Sequence, residues 1–330
     1  MLLKFFRRPL PIVLTSIIIL AIGLWLKTFI TETTVPFYFD SIQMPFYRMV
    51  MGWLPNNFLL NTIITFALSL IIGLWLLGLN SKHIIIKQRT YIPTLVYIII
   101  ATSILPLQRI NPAVFAAFFF IPSINHLLSI YQNPNVLDHL YRSGFYIGIA
   151  SLFYAPASLF LVGLLIAATV IKSTNAKEFL APIGGFLTPW FFYIFILYIL
   201  NNTSTIPDLL TINFKTEAEL NLEWRQFIPI GFFAMLLLIT GLFVADSIGH
   251  EKINVRKFFT VFFWYTVTGV ATLVLLPTVS YEIAYILAIP LAFQFSYYFS
   301  YAKSKFWSEL LFSIVIALAI ISQLLHYIPK

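Results

Sequence analysis

Pro106-Leu107-Gln108-Arg109-Ile110-Asn111-Pro112 opens the stretch that decides the fold, and that stretch runs on to Lys172. It passes through an apolar run, Ala113 to Phe120, and a polar segment, His126 to Arg142. It then reaches Ser143-Gly144-Phe145-Tyr146-Ile147-Gly148-Ile149-Ala150-Ser151-Leu152-Phe153-Tyr154-Ala155-Pro156. Elsewhere the chain is mostly long apolar spans. Here the spans are short, broken by proline and loaded with polar groups. Lipid satisfies no backbone N–H or C=O, so irregular backbone at membrane depth persists only where protein or a water-filled cavity covers it. The stretch therefore reads as a structured polar interruption inside a multi-span membrane protein.

Working outward, the 330 residues are 60% hydrophobic and 10% charged, against about 25% charged in a soluble domain. No polar stretch is long enough for a soluble domain; the longest is residues 201–227. Barrel strands would alternate apolar and polar residues, whereas these runs are apolar on both parities. The fold class expected is all-α: a polytopic helical membrane bundle, one integral domain over residues 1–330. Span lengths suggest about eleven crossings, including two short proline-bent hairpins.

The chain has no cysteine, which excludes disulfides, thiolate chemistry and cysteine-ligated metal. Its net charge of +8 sits mainly in short loops, which reads as topology and contact with anionic lipid. No basic stripe with interleaved aromatics lies outside the spans, so no nucleic-acid partner is expected.

Lys4, Arg7 and Arg8 precede the apolar run Pro11 to Leu26, and no small-residue cleavage site follows before Lys27 and Glu32. This is expected to be an uncleaved first span with a cytoplasmic N-terminus. Residues 31–57 form an outer loop rich in aromatics, in which Met44 to Trp53 suits a short interfacial helix. Phe58 to Leu79 is the second span. Ile92 to Leu105 is too short to cross about 30 Å of hydrocarbon as an upright helix; with Ala113 to Ile130 it forms a hairpin tipped by Arg109. Residues 131–142 are then cytoplasmic. Ser143 to Ile171 is either one span or a second hairpin bent at Pro156. A hairpin places 14 of the 20 basic residues inside, and a single span places 10. The positive-inside rule selects the hairpin. Further spans follow near 180–200, 228–246, 258–277, 283–300 and 308–325, with 201–227 as a second outer loop.

Several groups could carry chemistry. Glu32 and Asp40 lie in the first outer loop, where a carboxylate can act as general base toward a hydroxyl acceptor; the alternative is a pair of solvated loop charges. Arg109, with Gln108 and Asn111, sits at the tip of a short hairpin. A charge there is costly unless paired or wet, and a guanidinium suits bidentate phosphate recognition; the bland alternative is an interface anchor. Arg48, Arg225 and Glu282, also on the outer side, are candidates for the same substrate or lipid-phosphate site. His126, Asp138, His139, Tyr141 and Arg142 form a polar cluster on the inner side, either a site or an amphipathic connector. Gly144-x-x-x-Gly148 and Gly184-Gly185 signal close helix packing. No histidine pair has the i, i+4 spacing of a helical metal site, and there is no phosphate loop, nucleophile elbow or dinucleotide fingerprint.

At Leu105-Pro106-Leu107-Gln108, Phe118-Phe119-Phe120, Tyr131-Gln132-Asn133-Pro134-Asn135, Ser143 to Tyr154 and Gly185-Phe186-Leu187-Thr188-Pro189, the sequence resembles a multi-span membrane family of Bacteroidetes. That family is catalogued as a domain of unknown function and is sometimes labelled beta-carotene monooxygenase. The resemblance covers mainly residues 100–195 and implies a Gram-negative inner-membrane protein; it brings no established activity. Monooxygenase chemistry would need clustered iron-binding histidines, and these are scattered along the sequence. The layout is also similar to C-type multi-span glycosyltransferases, which use a polyprenyl-phosphate sugar donor and carry an acidic residue in the first outer loop; Glu32 or Asp40 would fill that position. The expected function is thus glycosyl transfer at the outer side of a bacterial inner membrane. The expected partners are membrane lipids, a polyprenyl-phosphate lipid and a membrane-protein complex. The alternatives are a non-catalytic scaffold of a cell-envelope complex and a lipid or solute transporter.

Overall fold

The computed structural model describes residues 2–31, 43–203, 205–215 and 224–325, with backbone alone at 208, 210, 215, 224–226, 324 and 325. Among them the secondary structure is helical throughout: α1 Leu2–Phe6, α2 Pro11–Ile30, α3 Pro45–Trp53, α4 Phe58–His83, α5 Ile92–Thr102, α6 Pro112–Leu128, α7 Val136–Phe153, α8 Phe160–Ile171, α9 Ala176–Ile199, α10 Thr205–Lys215, α11 Trp224–Ser247, α12 Ile253–Leu275, α13 Ala284–Tyr301 and α14 Lys305–Leu325. Three short 3-10 turns matter below: Leu105–Gln108, Ala155–Leu159 and Tyr281–Ile283. Seven helical segments are long and apolar enough to cross a membrane, and three shorter apolar helical segments accompany them. The chain is a multi-pass α-helical membrane protein.

The helix starts follow capping chemistry. Proline occupies the first turn of α2, α3, α5 and α6, where its missing N–H has no helical partner to lose. Asn57 caps α4 by accepting from the Leu60 N–H. Asn175 and Glu178 form a reciprocal capping box on α9, and Lys172 Nζ bonds Glu178 at 2.8 Å. One large core draws buried residues from α1, α2, α4 to α8 and α11 to α14, including Trp25, Tyr97, Phe120, Phe160, Phe293 and Phe299. Its centre is α13, whose apolar span is 94% buried.

Chain direction decides the second hairpin. Gly144 of α7 meets Pro182 of α9, and Gly148 meets Phe186, so α7 and α9 run parallel. The chain must therefore return between them, and α8 is the return. Gly163 of α8 lies against Tyr265 and Thr268 of α12, and Ile171 O accepts from Lys257 Nζ, so α8 and α12 are antiparallel. The bend at Pro156 reverses the chain, as charge distribution predicts.

One end of the bundle gathers the basic loops. Lys87 pairs with Glu251 at 2.6 Å, Arg7 Nε donates to Phe299 O at 2.7 Å, and Lys82 Nζ donates to Asn125 at 2.9 Å. Lys172, Arg256 and Lys257 lie at the same end. The three 3-10 turns lie at the other, the turn end.

Two elements differ from the sequence-based expectation. α7 begins at Val136, inside the segment expected as connector. Asp138 in its first turn bonds Arg142 at 2.9 Å, an i, i+4 pair that supports a helix of mixed polarity. The expected outer loop 201–227 contains α10, whose Leu209 is buried with Met44 and Ala155. An isolated 11-residue helix is marginal in water, so this one depends on that contact.

Candidate functional site: the turn end

The first turn shows how irregular backbone is held at membrane depth. α5 has 11 residues and climbs only about 17 Å. Residues 103–108 carry the chain on to the level of Thr28, and residues 101–108 are all buried. Every carbonyl released from helical pairing needs a donor there. Thr102 O accepts from Gln108 Nε2 at 3.1 Å and Gln323 Nε2 at 2.9 Å. Leu107 O accepts from Asn111 Nδ2 at 3.2 Å and the Tyr285 hydroxyl at 2.6 Å. Arg109 O accepts from Asn111 Nδ2 at 2.9 Å, and Ile110 O from the Tyr47 hydroxyl at 3.3 Å. Asn111 also caps α6 through the Val114 N–H. Side chains from α3, α6, α13 and α14 thus complete one turn.

Gln108 is fully buried, and its amide is used internally. Nε2 also donates to Leu24 O at 3.1 Å, and Oε1 accepts from the Thr28 hydroxyl. Arg109, the next residue, is only half-buried and lies within electrostatic reach of Tyr281. The turn therefore pulls Gln108 inward and leaves the guanidinium at its rim.

Glu282 is 0% exposed. Its Oε1 accepts from the Tyr154 hydroxyl at 2.8 Å and from the Ser280 N–H at 3.1 Å. Its Oε2 is buried with no hydrogen-bond donor among the described residues. This carboxyl joins the second turn to the third. A buried ionisable group of this kind is expensive inside a membrane and marks a functional position by default. The Tyr154 partner has no sequence signal beyond its place beside Ala155-Pro156.

α3 covers the tips of α6 and α7. Tyr47 and Phe46 pack around Phe153, which stacks on Phe115 at 5.4 Å and Phe119 at 5.5 Å. The short helix expected at Met44 to Trp53 is present as α3. Arg48 is exposed on it, within reach of Tyr193 of α9. Glu32 and Asp40 lie outside the described residues. Arg225 falls in the first turn of α11, and its side chain is likewise outside them.

A second polar cluster occupies the basic end. His126 Nδ1 and His139 Nδ1 are 3.0 Å apart, His139 Nε2 is 3.1 Å from Asn133 Nδ2, and Tyr146 stacks on His126 at 5.7 Å. Two of the histidines expected to be scattered therefore meet. Their Nδ1 atoms share one proton, because two N–H groups cannot bond each other. Burial holds the His139 ring below the ordinary histidine pKa; Arg142 and Lys82 act in the same direction and Asp138 opposes them. Among the described residues no group of three histidine, aspartate or glutamate side chains is arranged to hold a metal ion.

This architecture defines a class: a polytopic helical membrane protein with protein-covered, proline-bent turns at one end. Residues 41–328 match the DUF6427 family, a family of unknown function, and the chain belongs to that family. No curated protein and no solved structure matches it.

Proposed function

We propose that this protein sits in a bacterial inner membrane with its N-terminus cytoplasmic and handles a phosphate-bearing lipid at the turn end, on the outer side. The concrete reaction proposed is sugar transfer from a polyprenyl-phosphate donor to an acceptor hydroxyl. The observation that supports the reading is Arg109, half-buried at the rim of a buried turn and within electrostatic reach of Tyr281, the neighbour in sequence of Glu282. A rim guanidinium offers a planar fork to phosphate oxygens, while Gln108, Asn111 and Glu282 hold the turns beneath it. Arg48 and Arg225 are the further cations proposed for the same phosphate.

In this reading Asp40 or Glu32 takes the acceptor proton. The acceptor oxygen bonds the sugar's anomeric carbon, the bond from that carbon to the phosphate oxygen breaks, and the electron pair leaves with polyprenyl phosphate. Orientation rests on the positive-inside rule, since 14 of the 20 basic residues belong to the loops and helix ends of the basic end. The test is a matched pair, Asp40→Asn and Glu32→Gln, in protein confirmed to be inserted. One variant should lose glycan transfer. Full function in both ends the glycosyltransferase reading.

A second reading, a non-catalytic subunit of an envelope complex, is favoured by α9. It exposes Phe191, Phe192, Phe195 and Tyr198 along one flank, with Phe191 and Phe195 stacked at 6.3 Å. Co-purification of a stoichiometric partner that is lost on Phe191→Ser would support it.

A further inference from the structure

A groove of about 870 Å³ lies between α11 and α12, floored by Gln294 of α13. Its walls are apolar and it opens to the side of the bundle: Leu238, Leu242 and Val274 line it and are each more than two-thirds exposed. Three features separate it from ordinary lipid-facing surface. The first is its length. Both walls are present from Leu237 to Ile248 on α11, a rise of about 17 Å that matches half of a hydrocarbon core about 30 Å thick; beyond Leu237 the α12 wall alone continues, to Leu275. The second is its charged mouth. Arg256 lines the groove at the basic end, is exposed, and has no ion pair among the described residues. Lys252, one turn earlier, is also exposed. The third is its floor, where the Gln294 amide is already bonded to the Thr266 hydroxyl at 3.1 Å, leaving apolar contact as the main interaction along the walls.

We propose that this groove is a binding site for an anionic glycerophospholipid of the leaflet at the basic end, with an acyl chain between α11 and α12 and the phosphate at Arg256. The two-walled length equals one leaflet, which suits an acyl chain rooted at that end. The cation at headgroup depth supplies charge complementarity. Burial of the chain contributes through apolar contact and is insensitive to headgroup; Arg256 supplies the selection.

Gly241 gives a clean way to close the groove. It lines the wall, and a Cβ added there would meet nothing within 4 Å. A larger side chain projects into the groove without disturbing the helix contacts. The experiment uses full-length protein in nanodiscs of phosphatidylcholine doped with phosphatidylglycerol, with co-retained lipid counted by native mass spectrometry. The wild-type protein should retain phosphatidylglycerol over phosphatidylcholine by about fivefold, the value of one near-surface cation. Arg256→Gln should abolish that preference while leaving a lipid bound, and Gly241→Leu should remove the bound lipid with the thermal midpoint preserved. Equal retention of the two lipids by wild-type protein overturns the proposal, as does an unchanged preference in Arg256→Gln or unchanged retention in Gly241→Leu.

Discussion

Gln108 and Arg109 are neighbours in sequence and opposite in situation. Gln108 has both ends of its amide bonded to protein, across α2 and the end of α5, so its removal strands partners from two helices. Gln108→Leu should cost about 1–3 kcal/mol, the range for leaving buried polar groups unpaired, read as a lowered thermal midpoint in detergent. Arg109 lies at the rim, so Arg109→Ala should lower that midpoint less than Gln108→Leu does and should reduce co-purified phospholipid or polyprenyl phosphate. Arg109→Lys should restore only part, because an ammonium lacks the planar fork. Unchanged lipid in Arg109→Ala would make it a simple interface anchor. The sequence marks Gln108, Arg109 and Glu282 as unusual, because polar groups beside short apolar runs stand out. It cannot say which face of the turn each occupies: no periodicity governs a 3-10 turn flanked by prolines. Tyr154, Tyr285 and Gln323 escape notice for the opposite reason, since each lies in an apolar run and becomes a donor only through tertiary contact.

Among the elements, the α7–α9 pair is the sharpest case. A Cβ on Gly144 would overlap the Pro182 carbonyl oxygen, and one on Gly185 would overlap that of Tyr141, whereas Gly184 faces open space. Gly144→Ala and Gly185→Ala should therefore destabilise by about 1–3 kcal/mol or more, the range for overpacking, and Gly184→Ala should not. Equal thermal midpoints for Gly184→Ala and Gly185→Ala would contradict the packing. The small-residue spacing was legible as a packing signal; the parallel partner was not. The α6–α7 contact carries a pH dependence. His139 has a lowered folded pKa, so its neutral form is the one favoured in the fold. The stabilisation is complete above the ordinary histidine value of about 6.5 and is lost as pH falls from there through the folded value. The thermal midpoint should drop between pH 7.5 and 5.5, and His139→Asn should drop less; equal drops would remove His139 as the cause. α10 was illegible, since its apolar residues make sense only against Met44 and Ala155.

At the scale of the whole molecule, the direction of every helix after Lys172 depends on whether Ser143 to Ile171 crosses once or returns. Charge counting selects the return, and the parallel course of α7 and α9 agrees with it. The membrane class and the hairpins were legible because lipid forces apolar length and loop charge to carry topology. The convergence of three turns at one end was not, because it depends on which helices are neighbours. The absence of cysteine from the chain makes the decisive measurement simple. Ser173→Cys at the basic end and Thr203→Cys at the turn end, both exposed positions, can be labelled singly with a membrane-impermeant maleimide in spheroplasts. With the turn end on the outer side, Thr203→Cys is labelled and Ser173→Cys is protected until the membrane is opened. Labelling of Ser173→Cys with protection of Thr203→Cys would put the Arg109 turn on the cytoplasmic side and contradict an outer-face lipid-phosphate site.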